Sequence, residues 1–490
     1  MAVGRPAGES AQDAEARIAA LETALSESNA RNAELVEQVS RLVTQIEVLT
    51  EQLRQNSKNS HRPPSSDGPG RGSGGASGGS KKPKSKRNRG GQTGHRGAHR
   101  ELLPPEAVDD VVDFFPDVCL GCAAELPRVV DDEPCRYQQL DLRDHRPHLT
   151  EFRRHAVVCS HCGARTRAPY DASKIPASAF GPCLTAVVGM LTGVYHLSRR
   201  KAQRLLQELF GISVSLGALS AMERRASAAL VTAYEEARRE VEHAQVKHAD
   251  ATSWLRQGQL MSLWTLASMA ATVFGIFVDG TRETIRPFFG RRRGVLVSDR
   301  ASVFGFWHMA HRQVCWSHLM RKFISFSERD GPAGAIGREL LGYAALVFEY
   351  WHGFIEGDLT REELQAWLRP VQRELEGALV RAVSADIPRL SGSCEDMLAH
   401  RDALWTFVEH QGVEPTNNHA ERELRAFVLW RKGSFGTQSE RGERFAERMM
   451  TVAHTARKQG RAVLDFLVSS VTAHLDGAPP PSLIEKTTQA

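Results

Sequence analysis

The chain has 490 residues, too many for one hydrophobic core and enough for about three domains of roughly 150 residues each. A hydrophobic fraction of 41% supports real cores, and no run approaches about 18 uninterrupted apolar residues, which excludes a membrane-spanning helix. Net charge is only +5, and four of the eight cysteines fall in two Cys-x-x-Cys pairs, which points to a reducing compartment and a metal site and excludes a secreted disulfide framework. The start, "MAVGRPAGESAQDAEARIAALETAL", has no signal-peptide apolar core, so a soluble, cytoplasmic chain is expected.

Residues 12–55 are predicted to form a coiled coil. Ile18, Leu21, Leu25, Leu35, Val39, Leu42, Ile46, Leu49 and Leu53, with Ser28 and Asn32 in the two remaining seam places, alternate in steps of 3 and 4. A seam asparagine commonly fixes register and oligomer state, which favours a homo-oligomer over a lone amphipathic helix laid on the body of the chain.

Residues 56–104 read as a disordered basic linker. The stretch 68–100 is rich in Gly, Ser and Pro, lacks any acidic residue, and carries Lys81, Lys82, Lys84, Lys86, Arg87 and Arg89. Such a segment cannot bury apolar surface but can neutralise DNA phosphates in a salt-dependent way. Its alternative role is a solvated spacer.

Residues 105–172 contain Cys119-Leu-Gly-Cys122 and Cys159-Ser-His-Cys162, each beside a glycine and separated by strand-like "RRHAVVC". Four thiolates from two knuckles suit a closed tetrahedral structural zinc. Cys135, His155 and His161 are competing ligands.

Residues 173–240 read as a helical segment resembling a helix-turn-helix. Ser198 caps its second helix, Gly211 ends it, and Ser215 caps the third, which carries Arg224 and Arg225 toward DNA phosphates. An ordinary helical bundle has the same signature.

The period changes after Val241. "QVKHADATSWL", "LMSLWTLASM" and "ATVFGIFVD" are three β-like segments, and "GVLVS" after a helix-compatible stretch is a buried strand run. A three-strand meander, a crossover and a fourth strand parallel to the first is the ribonuclease-H-like order. It brings Asp250, in the first strand, near Asp299, at the end of the fourth. Two adjacent buried carboxylates are costly to ionise without a divalent cation, and Mg²⁺ or Mn²⁺ takes oxygen ligands. A third carboxylate completes a site for two ions about 3.5–4 Å apart. Glu421 in "PTNNHAERELRAFVLW" supplies one, unless it serves a capping box with Asn418. Glu423 would point about 200° away on the same helix and is the weaker candidate.

The stretches "QNSKNSHRPPSSD", "HADATSW", "LVSDRASVF", "CWSHLMRKF" and "TNNHAERELRAFVLWRKGSFG", with the paired Cys-x-x-Cys knuckles, resemble the insertion-sequence-66 family of DDE transposases, collinearly from about residue 20 to 470. The resemblance implies an α+β, multidomain chain: coiled coil, zinc-binding module, helical DNA-binding segment and a ribonuclease-H-like core over 241–470. A helical insertion of about 325–412 and a C-terminal tail of 471–490 complete it. The implied catalytic triad is Asp250, Asp299 and Glu421 with Mg²⁺ or Mn²⁺. Many members read Asp-Glu-Thr at the first acid, where this chain has Asp250-Ala251-Thr252. His318 and Arg321 of "CWSHLMRKF" and Asn418 are implied as active-site support, His318 having a core-histidine alternative. Arg422, Arg425, Arg431 and Lys432 are placed to meet phosphates.

The expected function is therefore a nucleoid-associated transposase of a bacterial insertion sequence. It would bind double-stranded DNA at terminal inverted repeats and at target, cleave and join strands, and work with accessory proteins of the same element. A non-catalytic DNA-binding regulator and a ribonuclease-H-like nuclease without strand transfer are the rival readings.

Overall fold

The computed structural model describes residues 11–54, 102–132, 134–140, 147–169, 176 and 178–484. The basic linker lies almost wholly outside the described residues, Lys81, Lys82, Lys84, Lys86, Arg87 and Arg89 included. The described residues fall into two compact units: Pro169–Arg204 and Val214–Ala490 with Met1–Gly74, and Gly75–Ala168 with Leu205–Ser213.

Helix α1, Ala11–Arg54, spans 44 residues, about 66 Å at 1.5 Å per residue. Its seam is open to solvent in the single chain: the most protected of Ile18, Leu21, Leu25, Leu35, Val39 and Leu42 is still 50% exposed. Over these positions the helix does not lay its apolar stripe on the rest of its own chain.

In the second unit, β1 (Ala156–Val158) and β2 (Arg165–Arg167) form a short antiparallel hairpin with Cys159 and Cys162 at its tip. Cys119 and Cys122 occupy a matching turn closed by the bridge Val118–Glu125. The backbone repeats: Cys119 N donates to Ala124 O and Ala123 N to Cys119 O, as Cys159 N does to Ala164 O and Gly163 N to Cys159 O. Each knuckle turns on a left-handed residue, Ala123 (φ +59°) and Gly163 (φ +71°). No described residue between 102 and 169 is buried.

The chain continues with α2 (Pro182–Gly189), a π turn (Met190–Val194), α3 (Arg199–Phe210, whose residues from Leu205 on group with the second unit), α4 (Leu216–Ala229) and α5 (Val231–His243). The turn chemistry is as read from sequence. The Ser198 hydroxyl accepts from Lys201 N, Gly211 ends α3 at φ +65°, and Ser215 accepts from Ala218 N.

The sheet follows. Strands β3 (Val246–Arg256), β4 (Gln259–Ala267) and β5 (Thr272–Phe277) form the antiparallel meander. After α6 (Arg282–Ile285) and a 3-10 turn, β6 (Val295–Ser298) returns parallel to β3, and β7 (Arg312–Val314) adds parallel to β6. The order is β5-β4-β3-β6-β7, so the fourth strand neighbours the first as expected. The fifth strand, three residues long, was not legible.

Strand alternation splits the core by face. Trp264, Leu266, Val273 and Leu296 pack with α5, α14 (Glu440–Lys458) and α15 (Val463–Asp476). Trp254, Leu263 and Phe274 pack on the opposite face against Phe427 and Trp430 of α13 (Asn418–Ser434). Between β7 and α13 run α7 (Trp316–Ser327), α8 (Gly331–Glu356), α9 (Arg361–Ser384), α10 (Ser391–Ala399), α11 (Arg401–Leu404) and α12 (Thr406–Glu409). They enclose a core to which Val295 and Val297 of β6 also belong, and most residues between 325 and 412 are helical. Among the described residues no helix is long and apolar enough to cross a membrane.

Candidate active site

Asp250 and Asp299 are brought together by strand register. Val246, Lys247 and His248 of β3 pair with Val295, Leu296 and Val297 of β6, a constant offset of 49. Carried two residues on, that offset sets Asp250 level with Asp299. Pleat parity puts both on the face that α13 and the insertion cover, because Trp254 and Val297 point that way. Each aspartate also takes a local backbone bond: Asp250 Oδ1 accepts from Ala251 N at 2.9 Å and Asp299 Oδ1 from Ala301 N at 3.0 Å. Beneath Asp299 the buried Arg312 of β7 donates to its carbonyl at 2.9 Å and to the Ser298 hydroxyl at 3.3 Å.

Glu421 arrives on the first turn of α13, whose start is fixed by Asn417. That buried side chain donates from Nδ2 to Ala249 O at 2.7 Å, and its backbone N–H meets Cys315 Sγ at 3.1 Å. Trp316 N donates to Pro415 O at 2.9 Å, so the same segment ties β3 to the start of α7. The N-cap is Asn417, with no side-chain cap bond, and the predicted capping box of Asn418 and Glu421 does not form. The Asn417 Nδ2 is committed to β3 while its Oδ1, the atom that would cap, has no hydrogen-bond partner, and Asn418 itself is exposed. Glu421 instead faces α7: its Oε1 lies 3.8 Å from His318 Nδ1 and its Oε2 3.9 Å from Arg321 Nη2.

Two of these acids, Asp250 and Glu421, are raised by burial and by neighbouring charge. Burial pushes the Asp250 carboxyl up to about 7; the Ala251 N–H opposes this, and the Glu421 and Asp299 charges add to it. Glu421 is raised as well, first by burial, with Asp299 adding and Arg321 opposing. Glu421 Oε1 is a buried oxygen without a hydrogen-bond partner. Repelling carboxylates with an unsatisfied buried oxygen fit a hard divalent cation, which would supply the missing charge and bonds. Among the described residues, Cys315, His318 and Glu421 bring three candidate ligand atoms within 4.8 Å of one another. Cys315 was not foreseen there, although it opens the "CWSHLMRKF" motif, and Asn417, in "TNNHAERELR", was expected only to help start the helix.

The remaining residues divide. Arg422, Arg425 and Lys432 are exposed on α13. Arg431 turns back onto β3, bonding Thr252 Oγ1 at 3.3 Å together with the carbonyl and hydroxyl of Ser253. On α4, Arg224 is exposed while Arg225 donates to Thr185 Oγ1 at 3.3 Å. Within each knuckle the thiols interact in pairs. Bonds from Gly121 and Cys122 hold Cys119 below its usual value, and bonds from Cys162 and His161 do the same for Cys159. The four knuckle sulfurs do not gather into a group of the kind formed at Glu421.

Residues 177–444 match the sequence profile of the transposase IS66 family, a span of 268 residues that covers more than half of the chain and contains all three acids. The chain belongs to the transposase IS66 family. Residues 6–101 match a family of unknown function, DUF6444. A stretch of 175 residues is 26% identical to the uncharacterized protein y4qI of Sinorhizobium fredii (strain NBRC 101917 / NGR234), covering 34% of this chain. The match spans 31% of that relative's length, about a third of it. Strands β3 and β6 and helix α13 of this IS66-family member all lie inside the matched span.

Proposed function

We propose that the chain is a DNA transposase that binds the ends of its own element and cleaves and joins strands at the site formed by Asp250, Asp299 and Glu421. The observation that carries this reading is the strand register that sets Asp250 level with Asp299, together with burial and the Glu421 and Asp299 charges that hold Asp250 at about 7. The sheet order β5-β4-β3-β6-β7 with β4 antiparallel is that of a ribonuclease-H-like core, and it supports the same reading. Mg²⁺ or Mn²⁺ bound there would neutralise the carboxylates and activate a water or hydroxyl oxygen. Asp250 and Asp299 hold the strand-end side of the site and Glu421 closes it from α13. Arg321, within reach of Glu421, is placed to hold a phosphate oxygen, and His318 to orient the attacking group. Water attack on a phosphodiester frees a 3′-hydroxyl, which then displaces a second 3′-oxygen in line at target DNA; no covalent protein–DNA bond is needed.

Purified protein incubated with Mg²⁺ and labelled DNA spanning the element boundary should nick it and produce joined strands. Nicking without joined products would select the nuclease reading, and binding without either would select the regulator.

Metal binding has a separate readout. Because Asp250 must release a proton to serve as a ligand, Mg²⁺ should raise the melting temperature of the wild type more at pH 8 than at pH 6. In the metal-free fold this acid keeps its proton to about pH 7, whereas in the unfolded chain it loses it near 4. The group thus costs stability as pH rises through that window, and metal-free Asp250→Asn should melt above the wild type at pH 8 and gain nothing from Mg²⁺. A Mg²⁺ response in Asp250→Asn equal to the wild type's would remove Asp250 from the site.

We infer further that the two knuckles bind structural zinc through Cys119, Cys122, Cys159 and Cys162. The support is a described segment without a single buried residue, too small a core to hold two formed knuckles unaided. Elemental analysis should find zinc in the wild type and lose it in Cys159→Ser; an equal content in both would rule this ligand set out. The exposed α1 seam and Asn32 support homo-oligomerisation, and the exposed Arg422, Arg425 and Lys432 support contact with DNA phosphates near the cut.

A further inference from the structure

Across α13 from Glu421 the protein has a concavity. Trp430 follows Glu421 by nine residues, which is about half a turn around the helix and roughly 13 Å along it. There, α4, α13, the start of α3 and the start of α14 enclose a cavity of about 810 Å³, within the range that takes a ligand of nucleotide size.

Its charge is one-sided. Six arginines line it against a single acid, Glu223. Arg199 is consumed by Glu223 at 2.6 Å, and Arg444 by Glu447 at 3.0 Å. Arg200, Arg224, Arg441 and Arg448 have no carboxylate partner among the described residues; Arg441 and Arg448 reach only the neutral Ser220 and Ser227. Four cations around one hollow repel unless an anion sits among them, and guanidinium groups match phosphate geometry. The rest of the lining mixes small polar residues with an apolar and aromatic part, Leu197, Leu216, Phe445 and Trp430, whose indole is stacked on His196 at 4.6 Å and 14°.

The rim adds an exposed aromatic. Ser434 and Gly436 line the cavity, and between them Phe435 stands 74% exposed. It sits in the left-handed region at φ +58° on a turn that cannot relax. Thr437 N donates to Leu255 O and Gln257 N to Thr437 O, and at Gly436 (φ +86°) a Cβ would come within 2.1 Å of Leu255 O. The ring is therefore held into solvent from a backbone fixed to β3. Apolar side chains presented this way unstack bases, and pockets of this lining receive the extruded base.

We propose that this cavity binds one unpaired nucleotide of a DNA strand. Its phosphate lies among Arg200, Arg224 and Arg441, its base against the Trp430 end of the wall, and Phe435 takes the base's place in the stack. DNA as the ligand rests on the proposed function; the single-nucleotide site is a statement about this cavity alone.

The test uses the full chain as wild type, Arg200→Ala/Arg224→Ala and Phe435→Ala. Fluorescence anisotropy is read with a short single-stranded oligodeoxynucleotide and with the fully paired duplex, across a salt series. Both substituted arginines and Phe435 are exposed, so melting curves of the variants should match the wild type. The wild type should prefer the single strand. The double variant should lose about tenfold for it, with a log–log salt slope shallower by about 0.7, the value of one phosphate on a single strand. Phe435→Ala should lose about tenfold with the slope unchanged, as a stacking contact does. Unchanged affinity and slope in the double variant would overturn the proposal, as would equal losses for single strand and duplex, which would mean a generic backbone patch.

The boundary-nicking assay separates this proposal from the reading it rests on. Nicking by the wild type together with unchanged oligonucleotide binding in the double variant sinks the cavity proposal alone. Absence of nicking together with the tenfold loss sinks the transposase reading alone.

Discussion

Asp299→Asn and Glu421→Gln are each expected to lower strand cleavage by about 10³-fold or more, some 4 kcal/mol of transition-state stabilisation. Binding of boundary DNA should stay within about twofold of the wild type, because the phosphate contacts that dominate affinity lie elsewhere. Both changes preserve shape and remove one negative charge. In Asp299→Asn the amide oxygen can still accept from Ala301 N, and Arg312 holds the backbone carbonyl, not the side chain. In Glu421→Gln the helix start is unaffected, since Asn417 and not residue 421 ties it to Ala249. What is lost is the charge that holds a divalent cation, so the defect belongs in the chemical step. Gel assays of end-labelled boundary DNA with Mg²⁺, run beside mobility shifts of the same DNA, separate the two quantities. Cleavage by Glu421→Gln at the wild-type rate would return that residue to a structural role. Loss of binding in parallel with cleavage would show that the acids hold the fold and not the reaction.

Local periodicity and strand order were legible because they are near-neighbour properties. The switch to two-residue alternation after Val241 and the four-residue buried run Val295–Ser298 set β3 beside β6. With Asp250 and Asp299 in those strands, their meeting follows from register. Glu421 was found by its sequence context, and its local competitor, the capping box, was an even match by spacing. What turns Glu421 away from the cap is not local: Asn417 Nδ2 ties the helix start to Ala249 O, 168 residues earlier, and Glu421 faces His318 and Arg321 of α7. The same separation in sequence hides Cys315 from Asn417, 102 residues apart, and Arg312 as the support beneath Asp299. Strand β7 was missed because three residues carry no periodicity, and its Arg312 and Gln313 read as surface residues although both are buried. The arginine-lined cavity draws on α3, α4, α13 and α14, each of which alone reads as an amphipathic helix with a basic face.

Glu423, two residues from Glu421, is expected to behave in the opposite way: Glu423→Gln should cost about 3 kcal/mol of stability at pH 7. The half-turn that removes it from the acid site aims it at α14. There its Oε1 lies 3.2 Å from Lys458 Nζ and its Oε2 is hydrogen-bonded to His454 Nδ1, in a pocket where the carboxylate is 15% exposed. Burial alone would raise its pKa, but the His454 bond and the Lys458 charge outweigh burial and hold the carboxyl down at about 2. A carboxylate depressed in the fold stabilises it fully above the unfolded value of about 4.5, and that contribution is lost as pH falls from there toward 2. The glutamine variant should therefore melt several degrees below the wild type at neutral pH, with the gap narrowing as pH falls below about 4.5. Lys458 keeps the Ser268 carbonyl at 2.6 Å and His419 Nε2 at 2.8 Å, but loses its counter-charge. Metal-free Glu421→Gln, by contrast, relieves repulsion from Asp250 and Asp299 and should melt at or above the wild type. Thermal melts of both variants at pH 7 and about pH 3.5 decide it, since the two carboxylates are offset in opposite directions. A pH-independent gap for Glu423→Gln would mean that its ion pairs contribute nothing and that packing of α13 on α14 alone holds the helix that presents Glu421.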